Sequence, residues 1–371
     1  MGSHIDFKRG IWKYGSVKQM PQYPVIERFA KEGQVSVFSC DKQDYTKELP
    51  KNCKHVRLYS RFMFMMLSWL VIAYVSRKEN IKYVYYNSGS SIFGLPLVRN
   101  LSSAKTILFY GVLLHANATG MKRTLYKVFE RWSLRYVNYF IVGSDEIYEF
   151  ILTSRYNGIT LPVKKGVRLP KPDPGIKRKV DKRVIWCGRL EPVKDPLRAI
   201  QVFKKHVLPK HPDAELVLCG GGSLMARAKN EEDDKNIFVL GQRHDMPFQF
   251  QISQMLLITS KYEGSPDICL EAMALGLPIV STNVGGVSNY VKDNENGLLV
   301  ETDKQMGDAI NYFLDNPKIA DHMGHIGEVN AWEYHDLGKN TDWLVKVLVW
   351  WNSPKMREKW LKQFKATLQK L

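Results

Sequence analysis

The chain has 371 residues, 44% of them apolar and 12% aromatic, which suffices for two buried cores and excludes a disordered protein. Its formal net charge of +17 favours polyanionic partners, namely anionic lipid headgroups, nucleic acid or phosphorylated substrates, without choosing among them. The five cysteines are scattered and never form a C-x-x-C pair. They therefore indicate buried thiols in a reducing compartment, and no clustered ligands for zinc are present.

The start of the chain lacks the basic-then-apolar character of a secretory signal, and residues 1–4 resemble a cloning scar. No stretch reaches the roughly 18 apolar residues that span a bilayer. The nearest approach, residues 62–75, is interrupted by Ser68 and flanked by cations. It predicts a buried helix, with contact to a membrane interface as the alternative. We therefore expect a cytoplasmic protein, free or peripheral on the inner face of a membrane.

Short apolar runs alternate with helical patterns in the first half of the chain. This alternation predicts βαβ units and a parallel sheet, and hence an N-terminal domain over residues 1–165. Strands are predicted at 35–40, 83–86, 106–109 and 140–142, and helices at 22–32, 61–78 and 121–138.

A basic segment rich in proline and glycine, residues 166–182, predicts a linker. The alternation then restarts and predicts a C-terminal domain over residues 183–340. Two doubly wound, Rossmann-like α/β domains facing each other across a cleft are the expected architecture. Strands are predicted at 184–187, 216–219, 237–240, 255–259 and 279–281, and helices at about 195–209, 267–276 and 303–315.

The first chemically informative segment follows the strand at 184–187. Gly188 allows a ligand to approach the backbone, and Asp195 is placed to cap a helix that begins at Pro196. Arg189 and Lys194 on the same loop could hold a diphosphate, Arg189 through its planar fork and Lys194 as a point charge. The alternative is a solvated loop with two ordinary surface cations.

Two further glycine turns follow predicted strands, at residues 219–223 and 283–287. The first contains three successive glycines, with Gly221 in the middle, which permit an anion-binding backbone conformation or a plain tight turn. Glycine turns at successive strand ends of one sheet together predict a rim for a phosphorylated ligand.

In the segment from residue 263 to 272, Glu263 lies on a loop and Glu271 inside a helix, with seven residues between them. Pro266 suits the first turn of that helix, and the amides of Gly264 and Ser265 would meet a negative group. The carboxylates could accept hydrogen bonds from sugar hydroxyls. Since a buried carboxylate needs a partner, the alternative is a structural arginine or backbone amide beside Glu271.

These residues resemble the C-terminal domain of the retaining nucleotide-sugar glycosyltransferases of family 4, which have the GT-B fold. The spacing of Glu263 and Glu271 within EGSPDICLEAMALGLP is the most specific part of the resemblance, which is firm over residues 183–315. The matching segments are CGRLEPVKD, LVLCGGG, VLGQR, EGSPDICLEAMALGLPIVSTNVGG and NGLLV.

The resemblance implies a transfer with retained anomeric configuration, in which a donor phosphate oxygen deprotonates the acceptor. Arg189 and Lys194 would bind the diphosphate and stabilise the leaving group, Glu263 would contact the donor sugar, and Glu271 the ribose. It implies no metal and no other cofactor, and UDP-sugars are favoured over GDP-sugars as donors. Further implied donor-binding residues are Gly188, Gly221, Gln242, Arg243, Gly264, Ser265, Pro266 and Leu270, with Gln242 and Arg243 near the nucleobase.

The N-terminal half departs from the family pattern. A glycine-rich loop after the first strand is expected, but the opening strand is hard to find and Gly15 is the only candidate. Where the family often has histidine before glycine, this chain has Tyr110, with His115 five residues later. Gly15, Tyr110 and His115 are therefore the acceptor-side candidates, although a lone histidine is more often structural.

The last segment, residues 341–371, predicts a basic amphipathic helix in which Met356, Trp360, Phe364 and Leu368 recur at i, i+4 spacing. It either packs back on the N-terminal domain or holds the protein against anionic lipid.

Three functions remain open from the sequence. The first is a retaining glycosyltransferase with a lipid-linked or glycan acceptor at a membrane surface. The others are a glycosyltransferase acting on nucleic acid, and a non-catalytic module that binds sugar nucleotides or polyanions.

Overall fold

The computed structural model describes residues 2–4, 23–32, 35–39, 49–57, 61–81, 83–86, 95–110, 119–142, 145–154, 156–161, 165–176, 182–233 and 235–351. Contacts divide them into two compact units. The first comprises the described residues of Met1–Gly143, Ile147–Gly166 and Leu337–Leu371, and the second those of Ser144–Glu146 and Val167–Asp336.

Strands and helices alternate before residue 161, as the apolar patterns predict. The elements are β1 (Gly2–His4), α1 (Tyr23–Glu32), β2 (Val35–Ser39), β3 (Cys53–Arg57), α2 (Arg61–Lys78), β4 (Tyr83–Tyr86), α3 (Leu95–Leu101), β5 (Lys105–Tyr110), α4 (Gly120–Leu134), β6 (Tyr139–Val142), α5 (Asp145–Thr153) and β7 (Ile159–Thr160).

These strands form one parallel sheet in the order β3-β2-β1-β4-β5-β6-β7. The opening strand that the sequence does not reveal is β1, whose Gly2–His4 pairs with Ser36–Phe38 of β2 and Val84–Tyr86 of β4. Central parallel strands usually read as apolar runs. The sequence Gly-Ser-His gives no such signal, which is why residues 1–4 resembled a cloning scar rather than a strand.

Alternate residues of this sheet enter two separate cores. On one face, Tyr83 and Ile107 pack with Ile26 and Phe29 of α1. On the other face, residues of β4, β5 and β6 pack with buried side chains of α2, α3, α4 and α5. Helices therefore cover both faces of the sheet, as a parallel sheet requires.

The second unit repeats this architecture, and the chain then returns to the first unit in a last helix. The elements are β8 (Arg183–Cys187), α6 (Pro196–Val202) with a π-helical turn (Phe203–Val207), β9 (Glu215–Cys219), α7 (Met225–Lys229), β10 (Ile237–Gly241), α8 (Met246–Gln251), β11 (Met255–Ile258), α9 (Asp267–Met273), β12 (Ile279–Thr282), a 3₁₀ turn (Gly285–Asn289), β13 (Gly297–Val300), α10 (Asp303–Asp315), α11 (Pro317–Tyr334) and α12 (Leu337–Trp351).

The second sheet is also parallel, in the order β10-β9-β8-β11-β12-β13. Counted within the unit, this is the doubly wound order 3-2-1-4-5-6, whose strand order reverses between β8 and β11. Loops after these two strands diverge to opposite faces of the sheet. The gap between their carboxyl ends is the position where such sheets bind ligands.

The division of the chain differs in detail from the predicted domain boundaries. Residues 167–176 of the predicted linker lie with the second unit, where Val167 and Leu169 join its core. The last described helix begins at Leu337 rather than 341, and Leu344 and Val345 pack beside α1 in the first unit. The predicted amphipathic stripe of residues 356–368 lies outside the described residues.

The cysteines and the apolar helices can be compared with the expectations from the sequence. Cys53, Cys187, Cys219 and Cys269 form no disulfide with one another, and burial raises the pKa of the Cys219 thiol to about 11. None of the helices that the structure describes is long and apolar enough to cross a membrane.

Candidate active site

The loops after β8, β9, β11 and β12 meet at the carboxyl edge of the second sheet. Those after β8 and β11 lie on either side of the point where the strand order reverses. They contain most of the predicted donor-site residues, so the structure brings together segments that are up to about 80 residues apart in the chain.

The loop after β8 is fastened to β11 through Thr259. Its hydroxyl accepts a hydrogen bond from the Trp186 indole (3.0 Å) and donates to the Asp195 carbonyl at 2.7 Å. The Lys261 amide donates to the Val193 carbonyl at 2.8 Å. Because Thr259 is fully buried, these bonds hold residues 193–195 in a fixed position against the next strand.

The prediction that the Asp195 side chain caps α6 is wrong. Asp195 precedes Pro196 but adopts a left-handed conformation, with φ of 49°, and its side chain makes no capping hydrogen bond. Its carboxylate instead lies 3.2 Å from the Lys261 ammonium. The carboxylate thus ties the loop after β8 to the loop after β11.

Lys194 and Glu263 form an ion pair across the two loops. The Lys194 ammonium lies 2.5 Å from a Glu263 carboxylate oxygen, which also accepts a hydrogen bond from the Ser260 hydroxyl at 2.7 Å. The Glu263 residue is only 6% exposed, so its charge needs these donors. The buried carboxylate of this site is therefore Glu263, whereas Glu271 is half-buried and has interactions of its own.

Arg189 lies exposed on the same loop, and within the described part of the chain no carboxylate lies within ion-pair distance of its guanidinium. Its near neighbour Glu191 accepts hydrogen bonds from the Ser223 hydroxyl (2.7 Å) and amide (3.1 Å). These bonds hold the pKa of the Glu191 carboxyl below its ordinary value. Arg189 is thus a cation at the edge of the sheet whose guanidinium remains open to a ligand.

The three glycines after β9 have different surroundings. A Cβ at Gly220, where φ is 143°, would overlap the Gly188 carbonyl, and one at Gly222 would overlap the backbone of Leu190. A Cβ at Gly221 would meet nothing within 4 Å. Gly220 and Gly222 therefore permit close packing of two loops, and only Gly221 faces open space at the rim.

The glycines after β12 press against the loop that carries Glu263. The Gly286 amide donates to the Glu263 carbonyl at 2.8 Å, and a Cβ at Gly285, where φ is 50°, would overlap that carbonyl. A Cβ at Gly286 would overlap the Gly264 carbonyl. These two glycines consequently fix the backbone on which Glu263 and Gly264 stand.

The segment that leads into α9 is held by a residue that the sequence analysis missed. Ser265 and Tyr290 share a hydrogen bond of 2.6 Å between their hydroxyl groups. Tyr290 is buried, which raises the pKa of its phenol well above the ordinary value. The helix itself begins at Asp267, with Pro266 extended just before it and Leu270 in the core. Nothing in the spacing of the sequence links Tyr290 to Ser265, since the contact depends on the 3₁₀ turn before it.

Gln242 and Arg243 follow β10 at the same edge of the sheet. Arg243 makes two parallel hydrogen bonds to Asp245, of 2.8 and 2.7 Å, and the Gln249 amide donates to the same carboxylate. The pKa of the Asp245 carboxyl is therefore lowered to about 2, chiefly by Arg243. Asp245, which the sequence analysis did not single out, thus fixes the orientation of the Arg243 guanidinium.

Of the three acceptor-side candidates, only Tyr110 lies among the described residues. Gly15 and His115 lie outside the described residues. Tyr110 ends β5, but its side chain is fully buried and its hydroxyl donates a hydrogen bond to the buried Glu130 of α4. It is therefore a core residue of the first unit, and its assignment to an acceptor site is wrong.

Within the described ranges, no three side chains among His, Cys, Asp and Glu are grouped so that they could hold a metal ion. At the point where the strand order reverses, the candidate site combines two cations, Arg189 and Lys194, with the carboxylate Glu263.

The two doubly wound units define a fold class, the GT-B fold. The structure superposes on Anabaena HepE in complex with UDP-glucose with a TM-score of 0.73 at 14% identity, covering 94% of this chain and 98% of that one. Sucrose-phosphate synthase from Thermosynechococcus elongatus gives a TM-score of 0.72 at 19% identity, covering 87% and 90% of the two chains. At such identities the likeness shows the shared GT-B fold.

Residues 171–329 match the family model described as glycosyl transferases group 1. This segment contains the whole candidate site. Over 121 residues the chain is 35% identical to the UDP-Gal:alpha-D-GlcNAc-diphosphoundecaprenol alpha-1,3-galactosyltransferase of Escherichia coli. The match spans 31% of this chain and 31% of that relative, so only about a third of the relative's length is matched.

Proposed function

We propose that the protein is a metal-independent, retaining glycosyltransferase that moves a sugar from a UDP-sugar to a lipid-linked acceptor. The observation that carries the proposal is the pairing of Lys194 with the buried Glu263 where the strand order reverses, with Arg189 open beside it. Such a cluster offers positive charge to a diphosphate and a fixed carboxylate oxygen to a sugar hydroxyl.

The proposed reaction uses the protein for charge and position. Arg189 and Lys194 bind the diphosphate and stabilise the negative charge that develops on it as the bond between the anomeric carbon and the phosphate oxygen breaks. The acceptor oxygen forms its bond on the same face of the sugar. Its proton passes to a phosphate oxygen of the leaving UDP, so no protein base is consumed.

Two observations on relatives support the finer parts of this proposal. The Escherichia coli relative is named for a UDP-sugar donor, a diphosphoundecaprenol acceptor and an alpha-1,3 transfer. Anabaena HepE, which shares the fold, binds UDP-glucose. On the proposed site, Glu271 binds the ribose and the rim of Gly221, Gln242 and Arg243 faces the diphosphate and the base.

The first test is thermal stabilisation by nucleoside diphosphates without added metal. At 100 times the dissociation constant, UDP should stabilise the second unit by about 2.7 kcal/mol, and GDP should do less. Arg189→Ala and Glu271→Ala should each remove most of the stabilisation. The matched control is Arg198→Ala, because Arg198 is a cation of the same unit that pairs with Asp303 outside the proposed site.

The proposal would be overturned if no nucleoside diphosphate stabilised the protein, or if Arg198→Ala reduced the response as much as Arg189→Ala. Retention is checked separately by the anomeric configuration of the product, read by NMR. Transfer that required added Mg²⁺ or Mn²⁺ and stopped with a chelator would contradict metal independence.

A further inference from the structure

One face of α4 is apolar although it points away from the protein core. Its buried residues, Glu130, Ser133 and Leu134, lie on the side that packs against the first sheet. On the opposite side, Met121 is 80% exposed, Leu125 63%, Val128 65% and Trp132 43%, with Phe129 beside them at 38%. At 100° per residue these five side chains fall within a stripe about 100° wide.

Cations border this stripe on both sides. Lys122 lies on one flank, and Lys127, Arg131 and Arg135 lie on the other, all exposed. The one carboxylate of the helix, Glu130, faces the core, where it accepts the hydrogen bond of Tyr110. The outward face of α4 therefore combines exposed apolar side chains with positive charge and has no negative charge.

The helix α2, which packs beside α3 on this face of the sheet, extends the pattern. Leu70 and Tyr74 of α2 are 41% and 64% exposed, and Arg77 and Lys78 follow them at the end of the helix. The residues of α2, α3 and α4 that point inward share one core, so the three helices lie on the same side of the first sheet.

We infer that the outward face of α4, together with exposed residues of α2 on the same side of the sheet, docks on a bilayer that contains anionic lipid. A contiguous apolar patch that is exposed on a protein surface marks an interaction site. A stripe bordered by cations, with an aromatic residue within it, has the composition of helices that lie in the membrane interface. The apolar side chains would enter the boundary of headgroups and acyl chains, and the cations would contact the phosphates.

The biological use of this surface rests on the proposed function. A lipid-linked acceptor is presented at a membrane, so a membrane-binding surface would bring the protein to its acceptor. The described α4 provides a site for that contact in addition to the basic C-terminal segment considered from the sequence. Binding to lipid itself needs no donor, so the two proposals can fail separately.

The test is flotation of the full chain with vesicles of phosphatidylcholine, with and without phosphatidylglycerol, in the absence of donor. The chain should float with the anionic vesicles only. Leu125→Glu combined with Val128→Glu should weaken binding at least about tenfold, and Lys127→Ala about fivefold, as expected for one cation near an anionic surface.

The control is Val329→Glu, which places one glutamate at an apolar side chain that is 47% exposed on α11 of the second unit; it should float like the unaltered chain. Stabilisation by UDP should be the same in all these variants. Their far-UV circular dichroism and thermal unfolding should match those of the unaltered chain, which shows that the first unit is folded. The inference is overturned if no anionic vesicle binds, or if the double variant floats as well as the control. It is also overturned if a short DNA duplex binds the chain in preference to the vesicles and the double variant abolishes that binding.

Discussion

Gly220 and Gly221 are neighbours in one turn, yet their surroundings predict opposite consequences for the same substitution. Gly220 has a positive φ, and its Cβ would overlap the Gly188 carbonyl, whereas Gly221 has open space around it. We expect Gly220→Ala to lower the free energy of unfolding by roughly 2 kcal/mol or more. Gly221→Ala should leave it unchanged.

UDP binding, in contrast to stability, should be affected by the substitution at Gly221. Gly221→Ala would place a methyl group where the diphosphate is proposed to approach, and should weaken UDP binding about tenfold, a loss of about 1.4 kcal/mol. Denaturant unfolding and titration calorimetry on the two variants measure both quantities. Unchanged UDP affinity in Gly221→Ala would mean that the diphosphate lies elsewhere on the rim.

Asp245 provides a prediction about pH. Its pKa is lowered to about 2 from an ordinary value of 3.8 by Arg243. A carboxyl group with a lowered pKa stabilises the fold above its unfolded-state value, and that contribution is lost as the pH falls toward about 2. In Arg243→Ala the pKa should return toward 3.8, so the variant should show a weaker dependence of stability on pH between about 4 and 2. An NMR titration of the Asp245 carboxyl carbon measures the pKa directly, and a value that stayed near 2 would assign the shift to other groups.

Among the described helices, α10 has the best-defined start. Thr302 accepts a hydrogen bond from the Gln305 amide, and the Gln305 side chain accepts one from the Thr302 amide, which forms a capping box. Thr302→Ala should therefore lower the free energy of unfolding of the second unit by about 1 kcal/mol. Thr302→Ser, which keeps the hydroxyl, is the control, and an equal loss in both variants would show that the cap is not the cause.

The helix α10 was predicted at its observed bounds, 303–315, from its helical pattern. Helices and strands with strong local signals, such as α2 and β4, were likewise predicted at or near their bounds. Two of the strands that were missed lack such signals. The strand β1 is Gly-Ser-His, and β3 (CKHVR) alternates polar and apolar residues without an apolar run.

The candidate site was also predicted only in part. Glycine turns at strand ends and the spacing of Glu263 and Glu271 identified the edge of the second sheet, because the carboxyl ends of parallel strands meet there. The partners could not be predicted, since they depend on contacts distant in sequence. Lys194 pairs with Glu263 across 69 positions, and Tyr290 reaches Ser265 only through the fold. For α4, the helix was predicted but its outward apolar face was not, since which face packs inward depends on the sheet beneath it.

At the scale of the whole molecule, the first unit is assembled from distant parts of the chain. Leu344 and Val345 of α12 are buried in the core formed with Ile26 and Phe29 of α1, and Arg28 of α1 pairs with Asp342 of α12. Leu344→Ala should therefore lower the free energy of unfolding of the first unit by about 3 kcal/mol.

The effect should be confined to that unit. Stabilisation by UDP, which acts on the second unit, should be preserved in Leu344→Ala, whereas Phe313→Ala in the core of the second unit should weaken the second unit instead. Hydrogen exchange of the two sheets distinguishes these outcomes. Equal loss of protection in both sheets for each variant would mean that the units unfold together.

The division of the chain at residues 166 and 337 also sets an order of events during synthesis. The second unit, Val167–Asp336, has all its strands once its own segment has left the ribosome. The first unit has its whole sheet much earlier, but α12, the helix that completes one of its cores, is translated only after the second unit. At typical elongation rates the unfinished core waits roughly 10–30 s for α12. During that time its apolar surface is open to chaperones, and the domain translated second is the first to be complete.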